Sequence, residues 1–495
     1  MRILKILAIA IIVVVAGGYG SFKYVNRTPA QLVEPNYFSY YKNQDTVPEG
    51  KVGLFITSLI MPETMREVDF YTLALKPMQY IPWPMRNMAR ADRGVQLIDP
   101  DRFYEFEPFT PAKLVDPSGN DRDLDGVPYV DKFHWGEVEW VPPSATRHLD
   151  HGYFLLPSRN GGMPTIAAKL INKARHYYYA PGKGSLQGTI PHKPGMKLIV
   201  DAAVERMQQK YGDLPYRWVT AEDFGRARAA MYSLLDEGVD TILLSAPAPI
   251  YSHHEEFNGG FKHAMHYIHE WQEQNGKHIK VIMAPQLGDF DITQQTWVNM
   301  LQDRLNTLPA GADVKVVMSI HGMAWDLTPN EAWIELAPPY VNETLTVLTE
   351  TLEGYDFGRK EVVQSQDHFA DPHNNPDGKY LSTNMAFWDG INDGFDYVIN
   401  VPIEFFVENT DTLYSHAMFN FEHFPTYDLY EPIDYPDPSK PYTREFKVED
   451  TLVIYNGVPA GDYNKPIIEA YTQALDSILS QGMQPISVAT VDSGM

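Results

Sequence analysis

A histidine at the end of one apolar run, and two carboxylates three residues apart beyond another, are the parts of this chain best suited to chemistry. In VVMSIHGMAWD the run closes on Ser319, Ile320, His321 and Gly322. An imidazole is thereby placed at a strand's carboxyl end, the edge at which open α/β sheets bind ligands. The glycine that follows leaves room for another group to approach the ring. His321 is either a site residue or a structurally satisfied histidine. In DYVINVPIEFFVENTDTLYSHA a strand runs into an acidic loop that opens a helix, and the spacing of Glu408 and Asp411 puts both on one face. The two acids suit an acid/base or metal-holding pair. They equally suit a helix N-terminus, where the dipole favours negative charge and Thr410 or Asp411 caps. An imidazole at one strand end and carboxylates at another form a set able to move protons and hold a divalent metal.

Two further clusters carry ligand types. APAPIYSHHEEFNGG holds Tyr251, His253, His254, Glu255 and Glu256 beyond an apolar strand; neighbouring histidines in a loop point apart, so a solvated turn competes with a metal chelate. His368, His373 and His416 lie near these segments in sequence. In DRDLDGVPYVDK, Asp121, Asp123, Asp125 and Gly126 match the first half of a calcium loop. Its twelfth position is Lys132, with Asp131 beside it, so the segment is either a structural Ca²⁺ site or an Asp-rich turn.

Composition removes several classes of function. The chain has 495 residues, no cysteine and a formal net charge of −24. Disulfides, thiolate metal sites, cysteine nucleophiles and iron–sulfur clusters are excluded, and the negative surface opposes nucleic acid as a partner. No G-x-S-x-G, P-loop or strand–helix G-x-G-x-x-G occurs, which weakens an α/β-hydrolase or dinucleotide reading. The 30 Tyr, 23 Phe and 9 Trp residues supply flat apolar surface for a core or for a flat ligand.

The elements that must position these groups alternate between short β-rich runs and longer helical ones. Strands are expected at 52–60, 216–220, 241–245, 279–284, 314–320 and 397–401, and helices at 195–211, 224–237, 260–274, 294–305, 333–353 and 464–479. Strands separated by helices of this length imply right-handed crossovers and parallel sheets. The expected fold is α/β, with two doubly wound parallel-sheet domains over 50–305 and 306–495. Two stretches break the rhythm, about 62–193 and the Tyr/Pro-rich 419–459; they read as insertions rather than domains, covering a sheet edge or forming a lid. Residues 1–27 begin MRILKILAIAIIVVVAGGYG and read as a signal-anchor, a cleaved signal peptide or a buried helix. The first two of these put the body outside the cytosol, membrane-anchored or secreted.

Four blocks in order resemble the ferrochelatases, class II chelatases that insert a divalent metal into a porphyrin. KVVMSIHGMAW is similar to that family's strand ending in Ser-x-His-Gly, and EVVQSQDHFADP to its Gln-Ser-Arg-Phe-Gly segment. VINVPIEFFVENTDTLYSHA is similar to its Pro-x-Phe-x-x-Asp-x-x-Glu-Thr-Leu helix start, and Pro249-Ile250-Tyr251-Ser252 to its Pro-Gln-Tyr-Ser. The resemblance covers a little under half of the chain. It implies a metal-inserting lyase with no organic cofactor, a tetrapyrrole substrate and Fe²⁺ as the metal substrate. It puts the catalytic imidazole on His321, the acids on Asp411 and Glu408, and metal contact on His321 and Asp411. Tyr251, Ser252, Met323 and Trp325 would clasp the macrocycle, with Trp388 nearby. Both acids are exchanged in length relative to the family pattern, and Gln366-Asp367-His368 stands where the family has Arg-Phe-Gly. An alternative of another class is a non-catalytic tetrapyrrole- or metal-binding protein on the same body.

Overall fold

The computed structural model describes residues 37–58, 192–220, 224–252, 256–257, 260–321, 331–367, 381–409, 412–413, 416–421, 424–425, 427 and 439–486, with the strands 95–98, 139–141 and 153–157. In chain order they begin with α1 (Tyr37–Asn43), β1 (Val52–Ser58), β2 (Val95–Ile98), β3 (Glu139–Val141) and β4 (Tyr153–Pro157). Next come α2 (His192–Tyr211), β5 (Tyr216–Thr220), α3 (Phe224–Asp236), β6 (Thr241–Ser245), α4 (Lys262–Asn275), β7 (Lys280–Met283) and α5 (Ile292–Leu305). The remainder is β8 (Val314–His321), α6 (Glu331–Glu353), β9 (Lys360–Asp367), β10 (Leu381–Ser382), α7 (Thr383–Asn392), β11 (Tyr397–Pro402), α8 (His416–Asn420), β12 (Arg444–Val448), β13 (Thr451–Tyr455) and α9 (Asn464–Gly482).

The chain divides into two compact units, residues 1–35 with 69–177, and residues 36–68 with 178–495. Of the first, the three strands β2, β3 and β4 are described; they form an antiparallel sheet in the order β2-β4-β3. These strands lie within the stretch 62–193 that reads from sequence as an insertion. The calcium-type aspartates Asp121, Asp123 and Asp125, and the segment 1–27, lie outside the described residues. Among the described residues no helix is long and apolar enough to cross a membrane.

The second unit is α/β and contains two sheets. The first is parallel throughout, in the order β5-β1-β6-β7. Every residue of β1, VGLFITS, is buried, as expected for a strand covered by helices on both faces. The second sheet has the order β10-β9-β8-β11-β13-β12. It is parallel except at its last edge, where β12 pairs antiparallel with β13 in a hairpin. Non-consecutive neighbours such as β8 and β11 require crossovers, which α6 and α7 supply.

One apolar core runs through both sheets, from Leu54, Ile56 and Leu243 to Val316, Met318 and Ile399, with Trp297 and Tyr340 among the helical residues that fill it. Trp297 Nε1 donates to the Tyr340 hydroxyl at 2.7 Å, and that hydroxyl donates to the Ile403 carbonyl at 2.7 Å. This buried relay ties α5 and α6 to the loop after β11. The last helix, α9, follows the second sheet in sequence but packs on α2 and α5. Lys210 and Tyr211 both bond Asp476, at 2.7 and 2.5 Å, and Ser245 meets the Tyr471 hydroxyl at 2.8 Å under the first sheet. The C-terminal helix is therefore shared between the two sheets rather than belonging to the second half of the chain.

Candidate functional site

Strand register decides which chemical groups meet at the carboxyl edge of the second sheet. β8 and β9 pair so that their last residues, His321 and Asp367, lie directly across from each other. β11 pairs with β8 so that Pro402 faces Ser319, and the chain after it turns across the end of β8. Ile403 N–H donates to the Ser319 carbonyl at 3.0 Å, and the Glu404 carboxylate accepts the His321 backbone N–H. Beneath this turn the buried Asn400 amide donates to the Ser319 hydroxyl at 3.0 Å and to the Val317 carbonyl at 3.1 Å. The end of β8 is fixed by backbone and side-chain bonds before any ligand arrives.

Around that end lie two imidazoles and a carboxylate. The His321 and His416 rings are 5.1 Å apart, centroid to centroid, and tilted by 49°. Phe405 stands edge-on to His321 at 6.0 Å and lies 5.7 Å from His416. His416 Nδ1 is 3.3 Å from Asp367 Oδ2, with both side chains buried. Asn420 Nδ2 donates to Asp367 Oδ1 at 2.8 Å. Burial alone would raise the Asp367 carboxyl, but the His416 charge and hydrogen bonds from His416, Thr383 and Asn420 outweigh it and hold the group at about 2. Asp367 is thus an ionised carboxylate in a dry setting, and it orients His416 beside the half-buried His321. A carboxylate–imidazole pair of this kind can fix a ring's position and stabilise positive charge next to it.

A cleft opens between the carboxyl edges of the two sheets. From the first sheet it takes Ser58 at the end of β1, the segment 246–250 after β6, and Glu256; from the second it takes residues 404–407; His192 and Met196 of α2 complete the lining. It is a small cleft of about 50 Å³, well below the roughly 300–1,000 Å³ typical of small-molecule sites. Its wall is mostly apolar, with Glu256 and Glu404 as the acids.

The residues expected from sequence fall into three groups. His321 is at the strand end, as its spacing requires. Glu408 is buried beyond β11, where its carboxylate accepts from Thr412 Oγ1 at 2.5 Å, from Val458 N–H at 3.1 Å and from the Tyr455 hydroxyl at 3.3 Å. Burial pushes its carboxyl up, against these donors and the nearby Arg444 charge. Tyr251 is fully buried among Tyr41, Phe257 and Phe261, and its hydroxyl bonds the Ala246 backbone at 3.2 Å. Ser252 gives both its N–H and its hydroxyl to Glu256, at 2.7 and 3.1 Å. Asp411, Met323, Trp325, His253, His254, Glu255, His368 and His373 lie outside the described residues. Trp388 packs on Phe424 with ring centroids 5.7 Å apart.

The cap of the helical turn after Glu408 differs from expectation. Asn409 Oδ1 accepts the Thr412 N–H at 3.1 Å, while Thr412 Oγ1 accepts the Asn409 N–H at 3.0 Å. This reciprocal pair is a capping box one to two residues earlier than Thr410 or Asp411. Sequence reasoning also passed over Glu404, Asp367 and His192 as site residues. The available signal for Asp367 was its place in a block already singled out, and for Glu404 its position two residues beyond a strand end. Among the described residues no three His, Asp or Glu side chains converge as a ready-made metal-binding group.

No protein-family model and no curated protein sequence matches the chain. Among solved structures, the chain is similar to SirB from Bacillus subtilis with Fe3+, at 9% identity and a TM-score of 0.34, over 58% of this chain and 89% of that one. It is also similar to the Cra transcriptional dual regulator from Pseudomonas putida in complex with fructose 1-phosphate, at 12% identity and a TM-score of 0.24, over 59% and 90%. A third is the leucine-, isoleucine-, valine-, threonine-, and alanine-binding protein from Brucella ovis in its closed conformation, at 10% identity and a TM-score of 0.21, over 58% and 68%.

Proposed function

We propose that the protein is a ferrochelatase-like chelatase that inserts a divalent metal, Fe²⁺ foremost, into a porphyrin-type tetrapyrrole. The observation that carries the reading is the His321 imidazole at the end of β8, backed by the ionised Asp367–His416 pair. Metallation releases two pyrrole protons and strips water from M²⁺, so the reaction needs a base and a negative environment for the cation. In this reading His321 takes a pyrrole proton or contacts the metal. Asp367 and His416 keep it in place, and Asp411 with Glu408 passes protons outward. Tyr251, Ser252, Met323 and Trp325 bind or shape the macrocycle pocket. Attachment to a membrane through residues 1–27, a body outside the cytosol, and structural Ca²⁺ at Asp121, Asp123 and Asp125 belong to the same proposal.

A second reading has a specific observation in its favour. The Glu408 carboxylate receives three donors from the protein itself, an arrangement that suits a structural acid better than a proton relay. That favours a body that binds a tetrapyrrole or metal without turnover. Incubating the purified full chain with a porphyrin and Fe²⁺, Co²⁺ or Ni²⁺ under anaerobic conditions, with absorbance followed over time, separates the two. Catalytic formation of metalloporphyrin supports the chelatase, stoichiometric spectral shifts without turnover support the binder, and no spectral change with any metal removes both.

A further inference from the structure

We propose that Glu404 is a positioning residue for the His321 imidazole: its carboxylate carries the β8–β11 ladder one rung past the end of β11 and so fixes the backbone from which the imidazole projects. The inference rests on the chelatase reading above and deepens it by naming a group that holds the base in place. β11 and β8 pair in parallel up to Pro402 and Ser319. Ile403 N–H still reaches the Ser319 carbonyl, at 3.0 Å. Past this rung β11 has ended, and two residues further along β8 the His321 N–H donates to the Glu404 side chain, which takes the place of a strand carbonyl.

Glu404 is itself placed from the core. The preceding residue, Ile403, accepts from the buried Tyr340 hydroxyl at 2.7 Å, and that hydroxyl accepts from the buried Trp297 Nε1 at 2.7 Å. The following residue, Phe405, stands edge-on to the His321 ring at 6.0 Å. Successive residues of one loop therefore meet the backbone and the ring of the same histidine, and the loop is anchored to α5 and α6 through Ile403.

His321 is the last residue of β8, and element ends open most easily unless something ties them down. For a base the cost of a loose end is kinetic, since a misplacement of about 1 Å can cost on the order of a hundredfold in rate. What Glu404 contributes is reach. Asp at this position keeps the charge but is one methylene shorter, so its oxygens stop short of the His321 amide. Gln has the length of Glu and keeps an oxygen acceptor. The half-buried setting of Glu404 leaves room for the exchange of oxygen for amide nitrogen. The geometry thus orders the side chains by reach and not by charge: Glu and Gln on one side, Asp and Ala on the other.

The test pairs two measurements on the full chain: amide hydrogen exchange resolved to residue 321, and steady-state insertion of Fe²⁺ into deuteroporphyrin under anaerobic conditions, followed by absorbance. Glu404→Ala should speed exchange of the His321 amide about tenfold or more, the loss of one hydrogen bond to a carboxylate. It should also lower kcat by about tenfold or more and leave KM for the porphyrin unchanged. Glu404→Gln, which keeps an acceptor at the same reach, should stay within about threefold of wild type in both measurements. Glu404→Asp should follow Ala, and the Asp–Gln comparison carries the test where the Ala variant does not fold. A His321 amide that exchanges alike in all variants, a kcat untouched in Ala and Asp, a loss confined to KM, or Gln as slow as Asp overturns the proposal. Any of these in a wild type that turns over sinks this inference alone. A wild type that inserts no metal removes the chelatase reading and this role with it.

Discussion

At the carboxyl edge of the first sheet the chain folds Tyr251 into a cluster with Tyr41, Phe257 and Phe261, whereas at the same edge of the second sheet it leaves Asp367, His416 and His321 side by side. Both edges belong to parallel sheets wrapped by helices, and both are ends at which ligands bind in this architecture. The first edge spends its hydroxyl on the Ala246 backbone and its acid Glu256 on Ser252. The second keeps an ionised carboxylate and two imidazoles in a dry place. The difference teaches that here the first edge supplies shape and the second supplies charge. Low dielectric strengthens each electrostatic contact at the second edge and makes each broken one costly.

The largest expected effect of breaking that contrast is on turnover. His321→Ala should lower metal insertion by about a hundredfold or more, the lower range for removing a positioned acid or base, while porphyrin affinity and melting temperature stay near wild type. Insertion at the wild-type rate in this variant would remove His321 from the chemistry. Stability comes next. Asp367→Ala leaves His416 buried without its carboxylate and should cost roughly 3 kcal/mol, as when one member of a buried ion pair is removed, measured by urea unfolding. On the other edge, Tyr251→Phe removes the two bonds between that hydroxyl and the Ala246 backbone and should cost about 2 kcal/mol.

The same contrast has a pH signature. Asp367 titrates at about 2 in the folded chain, below the roughly 3.9 of an unfolded aspartate. Its stabilisation is therefore fully present above about pH 4 and is lost as pH falls through about 2. The linked amount is about 2 kcal/mol. Asp367→Asn should remove that portion of the acid-induced loss, whereas Tyr251→Phe should leave the acid limb as in the wild type. Stability profiles of Asp367→Asn and wild type that fall in parallel between pH 4 and 2 would show that the pair does not hold the proton equilibrium.

Strands fully covered on both faces were legible because they are nearly continuous apolar runs: VGLFITS, TILLS and VKVVMSIH all appear where their composition points. β9, KEVVQSQD, was not, because Gln364, Ser365, Gln366 and Asp367 break the run, although the last three are buried by register with β8. The β12–β13 hairpin was hidden inside a Tyr/Pro-rich stretch whose composition reads as loop. The return of α9 onto α2 is carried by contacts such as Lys210 with Asp476, which no local pattern encodes. His321 was visible as a site residue because a strand end and a glycine flank it. Its neighbours Asp367 and Glu404 become so only when three strands that are distant in sequence are set in register.

The smallest effect separates capping from chemistry in the turn after Glu408. Asn409 and Thr412 cap that turn reciprocally, so Asn409→Ala should cost about 1 kcal/mol, the usual loss of an N-cap side chain. Asp411 stands one residue inside the bracket formed by that pair. Asp411→Asn keeps the size of the side chain and removes only its charge, so if the acid serves chemistry alone stability should move by no more than about 0.5 kcal/mol. If Asp411 serves the reaction, the rate of metal insertion falls in Asp411→Asn while stability holds, and Asn409→Ala shows the reverse, with stability falling more than rate. Glu408→Gln adds the third measurement. Its carboxyl is pushed up by burial, so removing its charge should leave stability at neutral pH within about 1 kcal/mol, and any loss of rate then belongs to proton transfer rather than to folding. A rate unchanged in both Asp411→Asn and Glu408→Gln would assign the acids to the scaffold and leave His321, with the Asp367–His416 pair behind it, as the whole of the charged edge.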